Sequence, residues 1–310
     1  MLARVAENLY WIGRNLERAE HCNRYLLVQY YSTLDAPMLQ NKDFTLRSIL
    51  FMSGSDFDVE QIPDERDVLR KVLFDVNNPN SILTIIRNAR ENARSIRNVL
   101  STELWEAINK WFLFAKQYRM ESFDSSNIYE FSNNMQFQIA LIKSNKANSM
   151  LHDDVWHFIN LGRFIECTQQ VIRILRSKIS DWTILSNNGV NTAVMQYQWT
   201  IVLKSLEAFD AHNNYNRGIR SRGTIFKFIL SNPIFPRSVL FTLNKIASHL
   251  SRISVKPEEF EEVATNLDRI IEEHSIFSAF DEEDMVVEYL ESISKAVANL
   301  HVEISNMYFK

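Results

Sequence analysis

Turn-forming residues are scarce in this sequence, with only six glycines and six prolines among 310 residues. Sandwiches and barrels need many tight turns, so so low a share of Gly and Pro argues against an all-β fold. Cysteine is scarcer still. Cys22 and Cys167 are too few and too isolated for a disulfide framework or a zinc site, and they read as reduced thiols. An excess of positive charge is also missing: the formal net charge is −4, which gives no global attraction to nucleic acid or to an anionic membrane. Finally, no apolar run approaches the ~20 residues that span a bilayer. Arg4 and Glu7 interrupt the opening apolar residues at once, unlike a signal peptide. Together these absences place the expected protein in the cytoplasm, with no membrane partner.

What is present is ordinary globular material. Apolar residues make up 46% of the chain and charged residues 23%, enough to bury a full core in one large domain or two smaller ones. Apolar residues recur at helical spacing from the start, at Val5, Leu9, Ile12, Leu16 and Ala19, and predict a helix over about 2–31. Further helices are expected over about 80–100, 101–116, 153–181, 191–211, 235–253, 256 onward, and 282–307. Asn80 or Ser81 is a plausible cap, and Pro257 sits at a favoured first-turn position. The acidic stretch 53–67 and the polar stretch 212–223 read as loops, and 120–134 as partly loop. No period-2 segment is long enough for a strand, so the expected class is all-α.

The sequence repeats itself. Ile12-Gly13-Arg14-Asn15-Leu16-Glu17 matches Leu161-Gly162-Arg163-Phe164-Ile165-Glu166. Later, Asn78-Pro79-Asn80-Ser81-Ile82-Leu83 resembles Phe235-Pro236-Arg237-Ser238-Val239-Leu240 in the same order. The expectation is a single domain over 1–310, a helical bundle of two diverged repeats, about 1–150 and 151–310, related by a pseudo-two-fold axis. Glycine inside a helix costs ~1 kcal/mol relative to alanine, yet Gly13 and Gly162 occupy equivalent mid-helix positions. Close approach of another backbone explains both, so their helices are expected to pack against each other.

Two sets of side chains are candidates for function. On the first helix Arg4, Glu7, Trp11, Arg14 and Arg18 share a face opposite the apolar stripe, with Glu17 and Arg24 to one side. Arg14 and Arg18 repel at i,i+4 on a wet helix, which points to a covered face. Two readings stay open: a buried Arg–carboxylate network joining the halves, with Arg163 and Glu166 from the second copy, or a site for carboxylate or phosphate. The second set is Arg87, Arg90, Arg94 and Arg97, with Glu91 alongside. Its repeat equivalents are Asn244, Ala247, Ser251 and Ser254, so the stripe belongs to one copy only. Pairing with Glu103, Glu106 or the 57–67 loop, an anion pocket, and an RNA-facing strip are all compatible with it; sparse aromatic interleaving counts against single-strand binding. His152-Asp153-Asp154-x-x-His157 reads as helix capping rather than a metal site. The Glu-x-x-His pairs of di-iron bundles, a phosphate-cradling glycine loop, a nucleophile elbow and HExxH are all missing, so no metal or cofactor is expected. Trp105, Trp111, Trp156, Trp182 and Trp199 read as core.

The opening residues 1–20, with Glu17-Arg18, closely resemble the Alpha-E family, as do Ala89-Arg90-Glu91-Asn92-Ala93-Arg94-Ser95, Glu103-Leu104-Trp105-Glu106, Leu161-Gly162-Arg163 and Phe235-Pro236-Arg237-Ser238-Val239. The likeness runs through nearly the whole chain. Cys167 stands where the family's second copy commonly has the arginine of Glu-Arg. The resemblance implies a bacterial protein of unestablished activity, associated with a circularly permuted ATP-grasp protein and often with a transglutaminase-like protein, in a system that makes or modifies peptides. The leading expectation is therefore an accessory partner of an ATP-grasp ligase that presents an Arg/Glu-lined anion or peptide site. The alternatives are an enzyme using Glu17 or Glu91 as acid/base, and an RNA-binding protein using the Arg87–Arg97 stripe.

Overall fold

In a computed structural model of the chain, residues 1–35, 42–54, 64–118, 123–187 and 192–310 are described. Among these residues the fold is all-helical, without a strand. The helices are α1 (Ala3–Asp35), α2 (Lys42–Ser53), α3 (Glu65–Leu69), α4 (Ile82–Ser95), α5 (Thr102–Gln117), α6 (Ile128–Ser149), α7 (Asp154–Asn187), α8 (Thr192–Ser205), α9 (Phe209–Tyr215), α10 (Arg222–Ser231), α11 (Val239–Ser251), α12 (Phe260–Ile276) and α13 (Glu283–Tyr308). A π-helical turn, Arg70–Phe74, continues α3.

The chain forms two compact units: Met1–Arg14 with His152–Lys310, and Asn15–Leu151. In the first, α7 packs on α11, α8 and α13, and α11 also packs on α10 and α12. The apolar residues of α13 at three- and four-residue steps, Val286, Leu290, Ile293, Val297, Leu300 and Ile304, are all buried. In the second unit α4, α5 and α6 pack in sequence. Trp111 of α5 and Phe131 of α6 are fully buried there, each removing up to ~3 kcal/mol of apolar surface from water. Tyr118, Phe123, Phe131 and Phe74 form an edge-to-face cluster at one end of α5 and α6.

Local rules set most helix starts. Ser81, Ser101 and Ser238 each accept a hydrogen bond from the backbone N–H three residues on, and Ser221 closes a capping box with Thr224. The two turns matched in the sequence share one hydrogen-bond pattern. Ser81 Oγ donates to Asp75 O at 2.7 Å, and Ser238 Oγ donates to Asn232 O, six residues upstream in each case. Asp75 Oδ1 accepts from Asn77 N at 3.0 Å, and Asn232 Oδ1 accepts from Ile234 N at 2.9 Å.

The glycine expectation holds. A Cβ added to Gly13 would lie 2.8 Å from Arg163 N and closer still to Ile159 O. One added to Gly162 would lie 2.8 Å from Tyr10 C and closer still to Tyr10 O. The crossing of α1 and α7 is reciprocal: each glycine meets the carbonyl three residues before the other. Only a residue without a side chain permits that approach.

Other expectations are corrected. The helix expected to reach Leu100 ends at Ser95; Ile96 leaves helical geometry at φ −123°, and Arg97 sits in a separate 3-10 turn. The stretch read as a loop from His212 begins inside α9, which buries His212 completely. Helix α2 was not anticipated, and α3 begins inside the stretch read as an acidic loop. Residues 55–63 of that stretch, and 120–122 of the polar segment, lie outside the described residues. Of the five tryptophans read as core, Trp111 and Trp199 are buried, while Trp105, Trp156 and Trp182 are half-exposed.

Candidate functional site

The first-helix candidates do not form one covered face. Arg4 and Glu7 are exposed, Trp11 and Arg18 are half-buried, and Arg14 and Glu17 are buried. Burial rises along α1 because its middle turns are enclosed on every side, polar residues included. Arg14 Nε donates to Glu166 Oε2 at 2.7 Å, and both side chains are buried. Glu166 Oε1 accepts from Gln170 Nε2 at 2.6 Å, so both carboxylate oxygens are engaged. The Arg14 guanidinium also lies 5.1 Å from the Trp11 ring and reaches the Tyr10 hydroxyl, which is bonded to His301 Nδ1 at 2.8 Å. One residue of each sequence motif thus enters a buried ion pair. Removing one partner of such a pair leaves a buried charge, at a cost of about 3–5 kcal/mol.

The remaining first-helix acid, Glu17, lies in the second unit, 3.2 Å from His21 Nε2 within α1. A turn on, Glu20 Oε1 pairs with Arg24 Nη2 at 2.7 Å, and Glu20 Oε2 with Lys143 of α6. The second-copy candidate Arg163 is half-buried, its guanidinium 4.9 Å from the Phe164 ring.

The arginine stripe stands on α4 and the turn after it. Arg90 is fixed in place. Its Nε donates to Asn109 Oδ1 of α5 at 3.1 Å, its Nη1 pairs with Glu91, and its guanidinium lies 5.3 Å from Phe112 and 5.9 Å from Trp105. Glu91 also holds Arg94 Nη2 at 3.0 Å, although the Arg94 side chain remains 62% exposed. Arg97 faces Trp105 at 5.9 Å. Arg87 and Arg97 are exposed and have no ion pair among the described residues. Glu106, one of the acids expected to neutralise the stripe, bonds Lys110 instead, and residues 57–63 of the expected acidic loop lie outside the described residues. Sequence reasoning missed Asn109, Trp105 and Phe112 as supports, because their role depends on α5 packing beside α4.

The histidine–aspartate segment behaves as a helix start. Asp153 Oδ1 accepts from Val155 N and Trp156 N at 3.0 and 3.4 Å. His157 instead meets His249 of α11, Nδ1 to Nδ1 at 3.0 Å. Burial, reinforced by Arg252, holds the His157 pKa below the ordinary histidine value, against the pull of Asp154.

Two surface clefts are described, and neither takes a wall from the sequence-predicted residues. One, of about 520 Å³, lies beside α3 and includes Arg66, Arg70 and Asp75. The other, of about 900 Å³, runs between α12 and α13 with Glu261, Glu273 and Glu303 among its walls. Of the two arginines of the first, Arg66 fell inside the stretch read as loop and Arg70 just beyond it. No helix is long and apolar enough to cross a membrane among the described residues.

Against known proteins, residues 1–309 match the family model of Alpha-E, described as a predicted alpha-helical domain with a conserved ER motif. The chain belongs to that family. No curated protein and no solved structure matches it.

Proposed function

For this member of the Alpha-E family we propose a non-catalytic helical binding subunit, whose α4–α5 arginine face holds an anionic peptide, carboxylate or acidic protein surface. The observation that carries this is the mixed state of the stripe. Arg90 is locked by Asn109, Glu91 and two aromatic rings. Around that anchor Arg87, Arg94 and Arg97 stay exposed, on a supported helical scaffold. Preorganised guanidinium groups suit carboxylate and phosphate, which they grip with paired N–H donors. The partner we propose is an ATP-grasp amide-bond-forming ligase, in a bacterial cytoplasmic system that makes or modifies peptides, with a transglutaminase-like protein as a further component.

The acid/base reading is disfavoured by where the carboxylates sit. Glu17 is 1% exposed and lines neither described cleft, and Glu91 is taken up by Arg90 and Arg94. RNA binding by the stripe is disfavoured because Trp105 already faces two guanidinium groups, which leaves little aromatic face for a base. We also infer that the chain arose by duplication, with a pseudo-two-fold relation between the copies. The reciprocal glycine crossing and the two like-bonded turns support it, and the order and lengths of α7, α8 and α10–α13 follow those of α1–α6.

Co-purification with the ATP-grasp protein tests the proposal. An Arg87→Glu, Arg94→Glu, Arg97→Glu triple variant changes only exposed side chains, so its circular dichroism should match the parent. Its recovery of the partner should fall sharply, and recovery by the parent should weaken with salt. Equal recovery by the folded triple variant would remove the stripe from this role.

A further inference from the structure

The cleft beside α3 belongs neither to the stripe nor to the buried network, and its lining is unusual in what it leaves unsatisfied. Arg66, Asp67, Arg70, Phe74, Asp75 and Asn77 line a space of about 520 Å³, within the range of small-molecule sites. Arg66 and Arg70 are one helical turn apart and exposed, and neither guanidinium has a hydrogen bond or ion pair among the described residues. Asp67 and Asp75 share the cleft, yet no salt bridge joins them to either arginine. Asp75 spends one oxygen on Asn77 N, and the Asp67 carboxylate has no partner among the described residues. The charges of both signs are thus left facing the cleft.

The matched stretch of the second half shows what the scaffold needs without these residues. Residues 64–81 correspond to 221–238: both begin at a capping side chain, Asp64 or Ser221, and both end in the turn with shared hydrogen bonds. Across that common frame most of the lining changes, although Lys227 keeps the charge of Arg70 and Asn232 keeps the turn bond of Asp75. Arg66, Arg70, Phe74, Asp75 and Asn77 stand opposite Gly223, Lys227, Ser231, Asn232 and Ile234. The winding changes too. Asp75 N bonds back to Arg70 O across a π turn, whereas Asn232 N bonds to Phe228 O in regular α geometry. π turns recur at functional sites because they re-aim side chains at the expense of helix regularity. Neither the Arg66–Asp67 pair nor the π turn has a counterpart in the second copy of this segment.

The chemistry of the lining selects a ligand. Two unpaired guanidinium groups a turn apart suit a phosphate group. Two carboxylates on the same cleft repel a bare anion but accept hydrogen bonds from hydroxyl groups, and Phe74 offers an apolar floor. We propose that this cleft binds a small phosphate ester of a polyhydroxy compound, of the sugar-phosphate class. Arg66 and Arg70 hold the phosphate, and Asp67 and Asp75 take the hydroxyls.

Isothermal titration on the full chain tests this with ribose 5-phosphate, ribose and inorganic phosphate as probes. Saturable binding is expected for ribose 5-phosphate, weaker binding for inorganic phosphate and none for ribose. The Arg66→Gln, Arg70→Gln double variant, both positions being exposed, should keep the parent circular dichroism and lose about tenfold or more in affinity. Asp67→Asn should weaken ribose 5-phosphate and strengthen inorganic phosphate, from which it removes a repelling charge. Reversing Arg87, Arg94 and Arg97 should leave all three titrations as they were, which separates this cleft from the partner-binding face. No binding of ribose 5-phosphate by the parent would overturn the proposal. So would equal affinity in the double variant, or inorganic phosphate binding as tightly as the ester.

Discussion

Replacing Gly13 by alanine sets two well-known effects against each other. On an isolated helix the change stabilises by ~1 kcal/mol, because alanine is the better helix former. Here the new methyl would lie 2.8 Å from Arg163 N, within 3 Å of Ile159 C and closer still to Ile159 O, all of them backbone atoms of α7. No rotamer change can relieve that clash. The helices must separate by about 1.5 Å to restore ordinary contact, and that opens the packing around Leu9, Ile12 and Leu161, each of them 0% exposed. Overpacking of this kind costs typically 1–3 kcal/mol and more where backbone is the obstacle. A net loss of about 3 kcal/mol is expected, or a fall in Tm on the order of 5–8 °C. Gly162→Ala should behave alike, since Tyr10 C, Cα and O stand in its way. One separation relieves both clashes, so the double variant should lose less than the sum of the singles. Urea and thermal unfolding of the four proteins measure this. A Gly13→Ala protein as stable as the parent, or more stable, would refute the close crossing.

Ser81→Ala and Ser238→Ala should each destabilise by about 1–2 kcal/mol, since each removes a helix cap and a bond to a carbonyl six residues back; urea midpoints that leave either variant at parental stability would contradict the shared turn geometry. The pH dependence follows from three histidines. Burial lowers the pKa of His274, His157 and His212, with Leu230 O pulling His274 the other way and Arg252 adding to the effect on His157. Their folded pKa values lie below the unfolded value of about 6.5, so the unfolded chain binds more protons in that window. The stability they contribute is full above about pH 6.5 and is lost as the pH falls. Denaturant unfolding at about pH 7.5 and about pH 5.5 should show the loss, and His274→Asn should flatten it; a profile that is flat or rises toward acid would sink the assignment.

The parts of the structure that the sequence exposed are those governed by local or strongly penalised choices. Gly13 and Gly162 were informative because a mid-helix glycine is unfavourable unless something requires it. Ser81 was legible as a cap because capping needs only three following residues. Arg14 is buried, and its carboxylate partner Glu166 stood among the candidates, but the Tyr10–His301 bond beside it was not nameable: the two are 291 residues apart, and nothing local to either announces it. Arg97 was misplaced because the break at Ile96 carries no glycine or proline to mark it. Short helices such as α3 and α9 escaped for a related reason. A single turn or two has too few residues for a periodic pattern, and tertiary contacts, such as those burying Val68, Leu69 and His212, hold it in place.

The crossing at Gly13 also bears on how the chain is made. The first fourteen residues pack with a unit whose other members begin at His152. A ribosome adding roughly 5–20 residues per second emits Leu9, Tyr10 and Ile12 about eight to thirty seconds before Ile159 and Gly162 exist to receive them. During that interval the stretch Asn15–Leu151 is already available to fold, while the leading turns of α1 have no seat. Nascent chains paused before residue 152 would therefore display those apolar turns, and a chaperone or a slow codon there would act on the first turns of α1 and not on the newest residues made.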